Sequence, residues 1–179
     1  MEEKKDMGFK LDLPEGKKAE AFAATLMTSF GWVNIEFNDN NKFDIKAERY
    51  NSKTQEIEIR TVEVKSDLRC VPLNDTGNIF IETNSWDRNE GTGINVCEAD
   101  WYYYIYKFLG QIWCIKTNKL KELIANNDFR IGVGGDEGSN STGYLIPRED
   151  FREHFHVFDK HFITKYLNID YKKFRYIYQ

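Results

Sequence analysis

Glu63, Val64 and Lys65 close a run dense in Ile, Val and Thr, and Asp44 lies in the alternating run before it. On a β-strand, residues two apart share a face. Glu63 and Lys65 therefore project together, while Val62 and Val64 anchor the opposite face in a core. One carboxylate from each of two neighbouring strands, with the Val64 main-chain carbonyl, is an all-oxygen set of the kind that holds Mg²⁺. That ion keeps its remaining places for water and phosphate oxygens. A lysine beside it can orient or deprotonate an attacking water and offset phosphate charge. The tripeptide alone is weak, because acidic-x-Lys occurs six times, starting at Glu2, Glu3, Glu15, Asp44, Glu63 and Asp170. A lone match reads as an exposed Glu–Lys ladder pair. Only the one at Glu63 sits in a β-branched strand, follows a strand bearing an aspartate, and stands behind a helix with an inward glutamate.

That helix is expected over residues 14–30, with Pro14 in its first turn and Gly31 at its stop. Ala19, Phe22, Ala23, Leu26, Met27 and Phe30 form an unbroken apolar stripe at helical spacing. Glu20 lies at the margin of that stripe and points toward the seam between helix and core. Phe43, Ile45 and Ala47 alternate with Lys42, Asp44 and Lys46, and a polar turn at 51–54 leads into the next run. Residues 42–49 and 56–65 thus read as an antiparallel pair. A third strand is expected over 78–83, after the Asn74-Asp75-Thr76-Gly77 turn. Residues 102–108 and 111–116 read as a hairpin about Leu109-Gly110, with a helix over 98–108 as the alternative. Leu120, Leu123 and Ile124 mark a short helix, and 130–133 and 144–146 two short strands. From Arg148 the spacing of Phe151, Phe155, Phe158 and Phe162 predicts a largely helical tail. The order predicts one α/β or α+β domain over 1–179, with a core over about 14–147 and the tail over about 148–179.

With 41% hydrophobic and 15% aromatic residues in 179, the chain is too apolar to be disordered. Its longest apolar run, 101–106, is far short of a membrane span, and no signal-peptide stretch follows the first residues. A cytoplasmic protein without membrane contact is expected. Three cysteines at wide spacing, with no CxxC, predict reduced and mostly buried thiols. Net −4 argues against a purely electrostatic nucleic-acid coat. The charge is uneven, however. Residues 41–70 carry seven basic and six acidic side chains and 148–179 carry seven and five, so an anionic partner is sought there first. The glycine-rich 132–138 segment has two acids and no phosphate-loop lysine, and reads as a loop. His154 and His156 would diverge on a helix, so a histidine metal cluster is not expected. Tyr102, Tyr103 and Tyr104 could stack on bases, but strand alternation sends half of them into a core. Glu82 either lines the site or simply ends the third strand; Asp100 reads as a turn cap, with a loop near the cleft formed with Thr92 and Gly93 as the alternative.

The ordered set of a helix carrying Glu20, then Phe43-Asp44, then Glu63-Val64-Lys65 resembles the PD-(D/E)XK nuclease superfamily, the restriction-endonuclease-like fold. Phe43 stands where that family has a proline, a position at which the proline is often replaced. A second stretch runs Gly77-Asn78-Ile79-Phe80-Ile81-Glu82, then Thr92-Gly93-Ile94, then Ala99-Asp100-Trp101-Tyr102 and a hairpin. It is similar to an arrangement in phage- and mobile-element-type members, and the likeness as a whole covers about residues 14–117. The resemblance implies an α-β-β-β-α-β core, its central mixed sheet flanked by helices. It also implies Mg²⁺- or Mn²⁺-dependent hydrolysis of phosphodiesters, leaving 5′-phosphate and 3′-hydroxyl ends. Asp44, Glu63 and the Val64 carbonyl would hold the metal and Lys65 would be the catalytic lysine. Glu20 would be an accessory carboxylate for a second metal or a water. DNA is the expected substrate and RNA the alternative. A non-catalytic nucleic-acid-binding or inhibitor module is the rival reading of the same fold. Lys17, Lys18, Arg49, Lys53, Arg69 and Arg88 are candidate phosphate contacts. A homodimer would accord with the habit of the superfamily.

Overall fold

The computed structural model describes residues 3–39, 42–67, 70–85, 92–134 and 141–167. Arg69, Arg88, the 135–138 part of the glycine-rich segment and the tail beyond 167 lie outside the described residues. The chain opens with helix α1 (Glu3–Ser29), followed by strands β1 (Val33–Phe37), β2 (Ile45–Asn51) and β3 (Glu56–Asp67). Then come β4 (Asn78–Ser85), a 3₁₀ turn (Gly93–Asn95), and the hairpin of β5 (Trp101–Tyr106) and β6 (Gln111–Lys116). Helix α2 (Thr117–Ala125), β7 (Ile131–Gly134), β8 (Ser141–Pro147), β9 (His156–Phe158) and α3 (Lys160–Leu167) complete the order. The architecture is mixed α/β.

The strands form two sheets. A six-stranded mixed sheet runs β1-β2-β3-β5-β6-β9, and a three-stranded antiparallel sheet runs β4-β8-β7. In the larger sheet, among the described residues, only β3 and β5 are parallel; Val62 stands opposite Trp101, Glu63 opposite Tyr102 and Lys65 opposite Tyr104. β2 and β3 pair antiparallel from Ile45↔Val62 down to Asn51↔Glu56.

Each face of the larger sheet must be covered, and the side-chain alternation decides by what. On one face Ala19, Phe22, Ala23, Leu26 and Met27 of α1 bury against Ile45, Ala47, Val62, Val64, Tyr103, Ile105 and Ile112. Each fully buried Leu, Met or Ile contributes on the order of 1.5–3 kcal/mol. On the other face Tyr102, Tyr104, Tyr106, Trp113 and Ile115 pack under Ile79, Ile81 and Ile146 of the small sheet and Leu120 and Leu123 of α2. The three cysteines are buried and free of disulfides, as their spacing predicts. Among the described residues no helix is long and apolar enough to cross a membrane.

Several expectations are corrected. Helix α1 begins eleven residues ahead of Pro14, which sits inside it and forgoes one intrahelical bond rather than opening the helix. Its end follows the sequence reading closely. Gly31 has φ +79. The N–H of Trp32 donates to the Met27 carbonyl at 3.2 Å and that of Gly31 to Thr28 at 2.9 Å, the paired bonds of a glycine-terminated helix. β1 was not expected; it is an edge strand of mostly exposed residues with a bulge between Val33 and Glu36. The helix implied between the third and fourth core strands is absent among the described residues, where β4 and the 3₁₀ turn stand instead. β4 leaves the main sheet because Ile79 and Ile81, both fully buried, cover the tyrosine face of β5. The tail is not largely helical over 148–159, which makes turns, a short 3₁₀ segment and edge strand β9 before α3. There Phe155 packs edge-on against Trp113 at 5.6 Å, so the phenylalanine spacing serves a strand edge rather than a helix face.

Candidate active site

Asp44 occupies the link just ahead of β2. Its N–H donates to the Val62 carbonyl at 3.0 Å, and its carbonyl accepts from the Asn38 N–H at 2.8 Å. Beyond the Ile45↔Val62 pair, β2 and β3 part. The Val64 N–H then has no strand carbonyl to meet on that side, and it donates instead to Asp44 Oδ2 at 2.7 Å. The aspartate thus caps the place where the ladder opens and holds its carboxylate beside β3.

Glu63 and Lys65 project from β3 on the face turned toward the small sheet, while Val62 and Val64 bury in the α1 core, as the spacing predicts. Glu63 is 7% exposed. Lys65 Nζ donates to Glu63 Oε1 at 2.7 Å. Glu20, buried on α1, accepts from Lys17 Nζ at 3.2 Å, and that ammonium also pairs with Asp39. Burial, reinforced by the Glu63 charge and opposed by Lys65 and the Val64 N–H, pushes the Asp44 carboxyl up to about 6. Burial works against the Lys65 ammonium, but Glu63 and Asp44 outweigh it and raise the lysine above its ordinary value. Burial likewise raises Glu20, with Lys17 partly offsetting it. Asp44 and Glu63 are therefore two mutually repelling carboxylates held beside Lys65, with Glu20 paired to Lys17.

The second sheet closes the site from above. Glu82 of β4 accepts from Ser141 Oγ of β8 at 3.0 Å, and its charge helps hold the Lys65 proton. Gly93, with φ +62, lies so close to β4 that a Cβ would come within 2.1 Å of the Glu82 carbonyl oxygen. Two buried hydroxyls in this region, Tyr102 Oη and Thr92 Oγ1, have no hydrogen-bond partner. Burial, then the charge of Glu63, drives the Tyr102 phenol well up. Ser141 has no signal in the sequence, and Tyr102, expected there as a base-stacking or core ring, is not singled out as a neighbour of Glu63. Tyr102 is recognisable only once β5 is known to pair with β3 and to set it opposite Glu63.

The candidate phosphate contacts are dispersed. Lys17 is engaged by Glu20 and Asp39. Arg49 pairs with Glu58 at 2.7 Å. Lys53 lies in the β2–β3 turn, its N–H donating to Asn51 Oδ1 at 2.9 Å. That turn is about 30 Å along β3 from Lys65, at about 3.3 Å per residue. Lys18, half-buried, lies one position from Lys17 on α1. Asp100 is a cap, as expected, but across strands: its Oδ2 accepts from the Thr61 N–H at 2.8 Å and from Thr61 Oγ1 at 3.1 Å. His154, His156 and His161 fall on a 3₁₀ turn, a strand and a helix.

Among the described residues no three His, Cys, Asp or Glu side chains converge as a ready metal cluster. Two carboxylates and a main-chain carbonyl are nevertheless hard oxygen donors, and suit one cation that keeps much of its water. Glu20, turned to Lys17, does not complete a three-carboxylate set. Compared with known proteins, the chain matches no family model, no curated protein and no solved structure.

Proposed function

We propose that this protein is a Mg²⁺- or Mn²⁺-dependent endonuclease of the PD-(D/E)XK type, acting on DNA. The observation that carries the reading is the meeting of Asp44, Glu63 and Lys65 at the point where β2 and β3 part. Asp44 Oδ2 lies 2.7 Å from the Val64 nitrogen and Lys65 Nζ lies 2.7 Å from Glu63. Burying like charges beside one another costs stability, and a purely structural site gains little from it. The helix packed on one face of a mixed sheet, with β2 and β3 antiparallel and β3 and β5 parallel, supports the restriction-endonuclease-like topology as its framework. The departure is the β4 sheet in place of the intervening helix.

Asp44, Glu63 and the Val64 carbonyl would hold the cation, which supplies Lewis acidity at the scissile phosphate. Lys65 would release Glu63 to the ion and turn its ammonium toward the attacking water and the phosphate oxygens. Glu20 would hold water at the rim. Hydrolysis would leave 5′-phosphate ends. RNA is the substrate alternative on the same site.

A second reading has its own observation. The Glu63–Lys65 pair and the Asp44–Val64 bond also suffice as a structural network, which is what a non-catalytic nucleic-acid-binding module would keep. The deciding experiment is cleavage of duplex, single-stranded, branched DNA and RNA with and without Mg²⁺ or Mn²⁺, with Lys65→Ala and Asp44→Asn beside the wild type. Metal-dependent cleavage lost in both variants supports the nuclease. Equal cleavage by all three proteins removes the assigned site, and no cleavage of any substrate favours the binding module.

A further inference from the structure

β3 is longer than its parallel neighbour. From Glu56 to Thr61 it has β2 on one side, whereas β5 begins only at Trp101, opposite Val62. The slot below the start of β5 is open and forms a groove of about 540 Å³. Arg60 enters it from β3, with its guanidinium 4.2 Å from the centre of the buried Trp32 ring and 4.9 Å from that of Trp101. Lys116 and Asn118, at the start of α2, line the far side.

The charges in this groove are unequally committed. Its two carboxylates are engaged: Glu58 by Arg49 and Asn51, and Asp100 by the Thr61 N–H and hydroxyl. No carboxylate among the described residues forms an ion pair with Arg60 or Lys116. Contact with two indoles holds the guanidinium in place, and with Tyr103 as its hydroxyl partner further N–H donors remain to fork onto a phosphate. Trp32 is buried and carries Arg49 as well, 4.6 Å from its ring centre, so the partly exposed Trp101 is the indole left for a base. An added protein strand fits less well. Asp100 already takes the Thr61 N–H at the edge such a strand would use, and the two side chains without a paired carboxylate, Arg60 and Lys116, are cationic.

We propose that this groove binds a phosphate of a single nucleic-acid strand, with Arg60 and Lys116 as its ligands and the partly exposed Trp101 beside them. The proposal rests on the reading of nucleic acid as substrate but not on hydrolysis. Trp101 sits one position before the Tyr102 that faces Glu63, and its side chain lies on the other face of the sheet. The groove thus opens on the α1 face of the sheet, and the carboxylate site lies on the other.

The test is a tryptophan-fluorescence titration in EDTA, so that cleavage plays no part. The probe is an oligothymidine of about ten nucleotides, with a neutral methylphosphonate analogue and inorganic phosphate as separate arms. One lost phosphate contact reduces the slope of log K against log salt by about 0.7, which is about eightfold in affinity at about 50 mM salt. Lys116→Gln, an exposed position that leaves the fold undisturbed, is expected to show that loss. Arg60→Lys, which keeps the charge but not the fork, is expected to weaken binding as well. Unchanged affinity and slope in both groove variants overturns the proposal. So does equal binding of the neutral analogue, or phosphate alone saturating the fluorescence change. A second copy of the chain in the slot, seen as a dimer in sedimentation that Ile59→Lys dissociates, overturns it too. Groove-dependent binding by a protein that never cleaves leaves this proposal standing and removes the nuclease.

Discussion

Replacing Asp44 by asparagine separates the cost of a carboxylate from the value of its hydrogen bond. In the folded protein this group titrates near 6 rather than 3.8, because it is buried beside Glu63. The native state therefore holds the proton more tightly than the unfolded chain. The contribution of this group is most favourable below about pH 4 and is lost as pH rises to about 6, after which it is constant. At about 1.36 kcal/mol per pH unit, ionised Asp44 costs the fold up to about 3 kcal/mol at neutral pH. Asparagine keeps the shape and can still accept the Val64 N–H through its amide oxygen. Asp44→Asn is expected to be about 1–3 kcal/mol more stable than wild type at about pH 7.5, with the difference vanishing near pH 4. Asp44→Ala leaves the Val64 N–H without its acceptor and is expected to lose about 1–3 kcal/mol. Urea unfolding of the three proteins across this pH range, with m-values compared, measures both effects. If Asp44→Asn is destabilised at neutral pH, or if its pH dependence parallels that of wild type, the repulsion argument is wrong. The stabilised variant is also expected to lose cleavage, because a site that holds like charges together trades stability for chemistry.

Mg²⁺ at about a hundred times its Kd is expected to stabilise wild type by about 2.7 kcal/mol in thermal unfolding at neutral pH. The same addition leaves Glu63→Gln and Asp44→Asn unshifted. Gly93→Ala is expected to cost at least about 2 kcal/mol by urea unfolding, since its φ of +62 and its contact with the Glu82 carbonyl leave no room for a methyl group. Because that contact seats β4, cleavage should fall with it. Tyr102→Phe removes a buried hydroxyl that has no partner. It should leave stability unchanged or raise it by about 1 kcal/mol, and a loss larger than that would show that the hydroxyl is bonded.

Local structure was readable wherever one periodicity ran unopposed. The α1 stripe, the glycine stop at Gly31, the β2–β3 pair and the β5–β6 hairpin follow from side-chain alternation and turn chemistry. Those patterns act over a few residues. β1 escaped notice because an edge strand buries little, and its mostly exposed residues carry no strong pattern. The tail departs from its helical spacing because aromatic spacing describes what is buried, without saying whether a helix or a strand edge buries it.

The sequence by itself placed Glu63 and Lys65 on one face of a strand and Val62 and Val64 on the other, since the two-residue repeat admits no other arrangement. It also set Asp44 on the neighbouring run. Tertiary structure alone decided that Asp44 caps the parting of β2 and β3, that Glu20 turns to Lys17, and that Glu82 and Ser141 arrive from a separate sheet. It also decided that β5 starts late enough to leave the groove at Arg60. These are outcomes of pairing register and of which face each sheet must cover. Such choices are made between residues distant in the chain, where no local repeat carries the information.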